Sequence, residues 1–325
     1  MEPFILRAGA GTDIPSFAKA LSLLPQDESI PARIELAPGV YREKVVVARA
    51  NTEIAGAGAD CTRIVWSDGA KELLADGMKR GTFRTATLRT DAANVTLRGL
   101  CIENDAAPCE AAGQAIALYA DGDRFTAEDC VLLGAQDTLF TAPLPPREIE
   151  KNGFIGPKQH APRVPQRHIY RRCVIKGDVD FIFGGAAAWF EDCDIVTLDG
   201  RSDRSAPFVA YCTAASTPEG QAFGYVFNRC RFLAEGCPDH SVFLGRPWRE
   251  WAKTVLLHCE LGPHIRPEGF DDWNKPLAHA VSFFAEYASY GPGAQGVRAP
   301  FAHTLTEAEA RAITLERFMA SMDGA

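Results

Sequence analysis

Six of the ten cysteines close short apolar segments that resemble one another: "TLRGLC" (Cys101), "FTAEDC" (Cys130), "IYRRC" (Cys173), "WFEDC" (Cys193), "YVFNRC" (Cys230) and "VLLHC" (Cys259). Their intervals of 29, 43, 20, 37 and 29 residues are irregular, but they fall inside the range of stacked repeats. Short strands recurring this way, separated by Gly, Asp and Asn turns, predict a solenoid of β-coils in which each coil buries one face against its neighbours. A cysteine at the same place in each coil then acts as a small buried hydrophobe. Ten cysteines in 325 residues are too dilute for a disulfide scaffold, and no CxxC pair or Cys/His cluster has zinc spacing.

Helical signals gather at the ends. "DIPSFAKALSLL" spaces Ile14, Phe17, Leu21 and Leu24 on one apolar stripe, with Pro15 in the first turn. "LTEAEARAITLERFM" offers Thr306 as N-cap with Glu309 three residues on, a capping box that opens a helix over 306–320. Helices in both places are expected to cover the exposed ends of the solenoid. Residues 142–167 contain six prolines and cannot form a regular ladder. A loop this long is functional or disordered, and its place between the two strongest chemical motifs favours function. The chain is therefore expected to be one domain over 1–325.

The formal charge of -8 and a pI near 5.5 argue against a duplex nucleic-acid binder, which needs a clustered basic face. They leave room for an anionic carbohydrate, because a local basic groove can sit on an acidic protein. No run approaches the roughly 18 apolar residues of a membrane span. The N-terminal stretch lacks a charged segment followed by an apolar core and a small-residue cleavage site. A cytoplasmic protein is the expectation, with a secreted mature form left open and a monomer expected.

Chemistry concentrates in a few blocks. "GDVDFIFG" (177–184) sets Asp180 beside a strand-like apolar run, where an ionised carboxylate is costly unless paired. "GAQDTLF" (134–140) places Gln136 and Asp137 just after another predicted coil. If adjacent coils stack in register, Asp137 and Asp180 face one another, and two nearby carboxylates push their proton affinities apart. Such a pair has the makings of a nucleophile and a general acid; turn aspartates in a solenoid are the plainer alternative. "GQAIAL" adds a second amide, Gln114, and "LGRPW" supplies Arg246 and Trp248. An arginine can hold a carboxylate through two parallel hydrogen bonds, and an indole offers a flat face to a sugar ring. Asp178 is expected at a turn or facing solvent.

"GVYREKV" (39–45), "FRTATL" (83–88), "GQAIAL" (113–118), "GAQDTLF", "GDVDFIFG" and "LGRPW" (244–248) resemble, in order, the signature blocks of pectin methylesterases. The resemblance implies an all-β, right-handed parallel β-helix that hydrolyses the C6 methyl ester of galacturonate units in pectin or oligogalacturonides, without metal or organic cofactor. It makes Asp180 the nucleophile, Asp137 the general acid and then base, and Gln136 the amide that stabilises the oxyanion. Gln114, Arg246, Trp248, Thr87 and Phe181 correspond to substrate-binding or positioning residues. Phe140 stands where the family commonly has tyrosine, and the 142–167 loop is longer than in many relatives, so it could wall the groove and favour short oligosaccharides. Three rivals remain at this point: a β-helix polysaccharide lyase, which would need a calcium-binding carboxylate cluster, hydrolysis of another ester or thioester, and a catalytically silent binding solenoid.

Overall fold

The structure, a computed structural model, describes residues 2–106 and 109–322. Its strands form sheets of eleven, eight and seven strands, and each pair of neighbouring strands within them runs parallel. The chain visits the three sheets in rotation: Phe125–Glu128 lies in the largest, Val131–Leu133 in the eight-stranded and Leu139–Thr141 in the seven-stranded sheet. The next coil repeats the order with Arg167–Arg171, Val174–Gly177 and Val179–Gly184. This is a parallel β-helix, and its coils run from Phe4 to Thr304.

The cysteine repeat marks one corner of the coil. Asp129, Arg172, Asp192, Arg229 and His258 each precede a buried cysteine and have φ between 50 and 54°. A single left-handed residue turns the chain from the largest sheet to the eight-stranded one and drops the next side chain inward, where Cys130, Cys173, Cys193, Cys230 and Cys259 stack. Each of the later four thiols donates to a carbonyl of the coil before it, as Cys193 does to Tyr170 at 3.4 Å. Cys101 is one residue out of step: it lies in a strand opposite Val131, and Leu100 occupies the ladder position beside Cys130. Five cysteines, not six, therefore share the repeat position.

In-register stacking sets identical coil positions about 4.8 Å apart, which suits flat side chains. Tyr170, Phe190 and Phe227 oppose one another in register and stack at 4.7 and 4.5 Å with interplanar angles of 10 and 11°. Close approach also explains Gly177 of "GDVDFIFG": a Cβ there would stand 2.2 Å from that of Phe181 and 2.6 Å from the Ala135 carbonyl oxygen.

The ends differ from expectation in detail. The first helix is confined to Phe17–Ser22, capped by the Ser16 hydroxyl, while Ile14 is bridged to Ala8 before it begins. The capping box at Thr306 and Glu309 is present, but the helix stops at Ala312 and a second one, Leu315–Ala320, starts from the Thr314 cap. These two helices do not close the solenoid end. They lie on the outer face of the largest sheet, where Phe318 is fully buried against Trp189 and Phe223. The 142–167 segment is an ordered loop: the Arg163 guanidinium donates to the carbonyls of Pro145, Lys158 and Gln159. Lys158 reaches Asp91 and Asp121 at 3.4 and 3.2 Å. Among the described residues, no helix is long and apolar enough to cross a membrane.

Truncating the middle ring of the aromatic ladder, Phe190→Ala, is expected to lower stability by about 3–5 kcal/mol. Urea unfolding followed by circular dichroism measures it, and a loss below about 1 kcal/mol would mean that the ladder is not a principal support of the core.

Candidate active site

The backbone at Asp180 departs from a plain strand. Val179–Gly184 pairs with Ala210–Ala215, but the register shifts between Val179 and Ile182, and Asp180 takes φ 51°. The kink breaks the alternation of side chains: Asp180 lines a cleft on the seven-stranded sheet, while Phe181 and Ile182 both enter the core. Asp137 has φ 68°, and its amide donates to the Val179 carbonyl at 3.1 Å. That bond ties the two carboxylate-bearing backbones together across adjacent coils. Asx side chains tolerate left-handed backbone better than most, which suits Asp at both places.

Asp180 is held by Arg246 in a two-point pair, Nε to Oδ1 at 2.8 Å and Nη2 to Oδ2 at 2.6 Å. The guanidinium lies between the rings of Tyr211 and Trp273, 3.8 and 3.7 Å from their centroids. Stacking on both faces leaves only the edge free to donate, and that edge meets Asp180. Burial pushes the Asp180 carboxyl above its usual value, while Arg246 and, more weakly, Lys275 pull it back. Asp137 is driven well above the carboxylate range by burial and then by the charges of Asp180 and Asp178, with only the Arg246 charge opposing. The asymmetry follows from the partner: the Arg246 pair favours the ionised form of Asp180, while burial and the neighbouring carboxylates favour the protonated form of Asp137.

Gln114 and Gln136 line the same cleft of about 480 Å³, as do Arg246 and Trp248. Two other sequence assignments are corrected. Thr87 is fully buried with its hydroxyl donating to the Glu103 carbonyl at 2.8 Å; its segment reaches the cleft through Thr82 and Phe83 instead. Phe181 is fully buried among core residues, on the opposite side from Asp180; the irregularity turns Ile182 inward as well, so that Phe183 takes the lining position. Asp178 is not solvent-facing: it is 6% exposed, and its carboxylate accepts from the Val179 amide at 2.6 Å.

Several cleft residues escaped the sequence reading. Phe83, Phe154 and Phe183 are among them; with the fully buried Phe140 and the already assigned Trp248 they form an aromatic cluster, with Phe140 and Phe183 at 4.8 Å. Trp273 and Lys275 come from "DDWNK", a loop whose turns are closed by Asp271 and Asp272 carboxylates accepting from Trp273 and Asn274 amides. The Asp-rich turn ahead of a tryptophan was the available signal. Ile149, Glu150, Gly153 and Phe154 of the proline-rich loop form one wall.

Comparison with known proteins agrees with this architecture. The pectinesterase family profile matches residues 5–145 and 162–322, so that 146–161, the tip of the wall, lies outside the match. Pectinesterase QRT1 of Arabidopsis thaliana is 31% identical over 314 residues, covering 94% of this chain and 74% of that protein. The chain spans about half the length of several other plant relatives it matches, such as 51% of pectinesterase 1 of Solanum lycopersicum, at 29% identity and 93% coverage of this chain. Pectin methylesterase PemA from Erwinia chrysanthemi superposes with a TM-score of 0.79 at 27% identity, covering 98% of this chain and 97% of that one. The carrot pectin methylesterase gives 0.79 at 26% identity, covering 99% and 95%. The chain belongs to the pectinesterase family.

Proposed function

We propose that this protein hydrolyses C6 methyl esters of galacturonate units, releasing methanol, with Asp180 as nucleophile and Asp137 as general acid and then base. The observation that carries the proposal is the asymmetric carboxylate pair: Asp180 locked to Arg246, Asp137 buried beside it without a cation of its own. A solved pectin methylesterase in complex with a hexasaccharide, 27% identical with a TM-score of 0.79, supports an oligosaccharide substrate. The whole chain acts as one catalytic unit in this proposal.

The steps follow from the charges. An Asp180 carboxylate oxygen adds to the ester carbonyl carbon, and the Gln136 amide donates to the oxygen that becomes negative, a contribution on the order of 3 kcal/mol for one such donor. Asp137 gives its proton to the departing methoxide, and methanol leaves an anhydride between Asp180 and the sugar acid. Asp137, now a carboxylate, takes a proton from water as the hydroxide adds to the sugar-side carbonyl. Asp180 leaves as carboxylate and Asp137 is protonated again. Gln114 and Trp248 orient the sugar.

The finer substrate and place are part of the same proposal. The wall formed by residues 149–154 is tied down on both sides, through Lys158 to Asp91 and Asp121 and through the Arg147 carbonyl to Arg249. A groove narrowed this way favours short oligogalacturonides over long pectin. The nine described free cysteines suit a reducing compartment, which supports a cytoplasmic enzyme.

Asp180→Asn is expected to abolish methanol release from methylated oligogalacturonides while leaving the circular dichroism spectrum intact; near-normal release would remove Asp180 from the nucleophile's role. kcat/KM should fall as pH drops through the Asp180 pKa and as it rises through that of Asp137. Arg246→Met removes the group that lowers the first of these and should move the acid limb up by about 1–3 pH units. An acid limb that stays in place would mean that another group sets the ionisation. Deleting 146–161 should raise kcat/KM for long pectin relative to a trimer about tenfold, equivalent to ~1.4 kcal/mol; an unchanged ratio would count against the wall as a length filter.

A further inference from the structure

The cleft over the seven-stranded sheet has two walls, and they touch at one end. One wall comes from the connections that enter this sheet and includes Thr82 and Phe83; the other comes from the connections that leave it and includes Phe154 of the proline-rich loop. The Phe83 and Phe154 rings meet edge to face at 5.8 Å. Beside that contact the backbones approach so closely that a side chain would collide. A Cβ on Gly156 would stand 2.9 Å from that of Phe83, and one on Gly81, where φ is 76°, would stand 2.8 Å from Ile155 Cγ2.

No groove floor is exposed beneath the contact. Tyr119 and Phe140 belong to the strands Leu118–Ala120 and Leu139–Thr141 of this sheet, whose leucines face the core. Both rings point the other way, yet they are 1% and 0% exposed, because Phe83 packs on them at 6.2 and 5.0 Å. At the opposite end Tyr211, Arg246 and Trp273 remain partly exposed. The cleft is a blind groove, open toward the later coils and stopped toward the earlier ones.

The stop is braced from both sides. Ahead of Phe83 the chain makes a finger over 68–81, in which the Leu74 and Gly81 amides donate to the Met78 and Ala70 carbonyls at 2.9 Å. The Arg80 guanidinium ties this finger to Glu72 at 2.9 and 2.8 Å and to Asp68 at 3.2 Å. Facing it, the proline-rich loop is held by Lys158 on Asp91 and Asp121. Parting the walls would expose the rings of Phe83, Phe140 and Phe154 to water, so the closed end is the favoured state.

Distance then limits the substrate. Phe83 precedes the strand Leu88–Thr90, which lies three strands from that of Asp180, about 14 Å away. A sugar chain with its ester at Asp180 has room on that side for a stub of about two rings, whereas on the other side it can run on into solvent. A narrowed groove by itself ranks oligomers by length. A blind groove also ranks the esters within one oligomer.

Resting on the esterase reading above, we propose that the protein works from a chain end, cleaving methyl esters within about three units of one terminus of an oligogalacturonide and not in its interior. The Phe83 and Phe154 contact is the specificity element. An ester deeper in the chain becomes a substrate only after a chain-shortening reaction, hydrolytic or eliminative, has brought it near that terminus.

The test uses fully methyl-esterified decagalacturonate, labelled at the reducing end with heavy oxygen, digested to low conversion and mapped by tandem mass spectrometry. The wild-type chain should strip the units nearest one terminus about tenfold or more faster than the central ones. Initial loss spread evenly along the oligomer overturns the proposal. Phe83→Ala combined with Phe154→Ala opens the stop and should bring the central units within about threefold of the terminal ones. If that variant keeps the wild-type circular dichroism spectrum and also the terminal bias, something other than the closed end sets the position, and the proposal falls. Total methanol in the same digests decides the esterase reading: none from any position removes both, and release without bias removes only the chain-end inference.

Discussion

Everything in the cleft depends on the fixed spacing of parallel coils. Strands about 4.8 Å apart place Asp137 and Asp180, from consecutive coils, close enough that the charge of one raises the proton affinity of the other. They also let Arg246, 66 residues further along, reach across an intervening strand to the Asp180 carboxylate. A slip of one residue in either coil would turn these side chains to the opposite face. The cysteine ladder and the Tyr170, Phe190 and Phe227 stack therefore act at a distance on catalysis, because they hold the register that puts two acids and one base together.

The same backbone conformation does two jobs. At the corners, left-handed residues such as Arg172 and Asp192 turn the chain and direct the following cysteine inward. At Asp180, a left-handed residue falls inside a strand, and the register shift beside it turns a carboxylate into the cleft while Phe181 and Ile182 stay in the core. A non-glycine residue with positive φ costs of order 1 kcal/mol or more unless its surroundings over-determine it. Here Gly177 lets the neighbouring coil approach, the Asp137 amide bonds the Val179 carbonyl, and Arg246 holds the side chain. Strain and function coincide because the kink is what separates the carboxylate from the apolar face of its own strand.

Much of this was legible in the residues, and the misses have physical causes. The recurrence of cysteine after an aromatic or apolar residue exposed the solenoid, and an aspartate beside Phe and Ile exposed the need for a cation. Thr87 and Phe181 were misplaced because they were taken from the resemblance of their blocks, and a matching block carries no information about which face of a short strand meets the core. Asp178 was expected at a turn or facing solvent; it does lie at the bend between Val174–Gly177 and Val179–Gly184, but that bend is buried. Trp273 and Lys275 lie beyond the last recognised block, on a loop brought to the cleft only by tertiary folding. The C-terminal helices carry clear caps, yet nothing in a capping box says which surface the helix will cover.

The aromatic sandwich around Arg246 bears on the second half of the proposed cycle as much as on the first. While Asp180 is ionised, the guanidinium between Tyr211 and Trp273 is neutralised by a two-point pair. Once Asp180 is acylated in this cycle, that carboxylate charge is gone and the half-buried Arg246 faces only the neutral, weaker acceptor oxygens of the anhydride. A buried pair is costly to break by removing one partner, so the anhydride is raised in free energy relative to the states on either side. The deacylation transition state returns negative charge to the Asp180 oxygens and regains the pair as the bond to the sugar breaks. An arginine suits this role better than a lysine, because its fork stays aimed by stacking on both faces when the carboxylate charge is absent. In the proposed cycle, the geometry that would make Asp180 a usable nucleophile would therefore also make it a good leaving group.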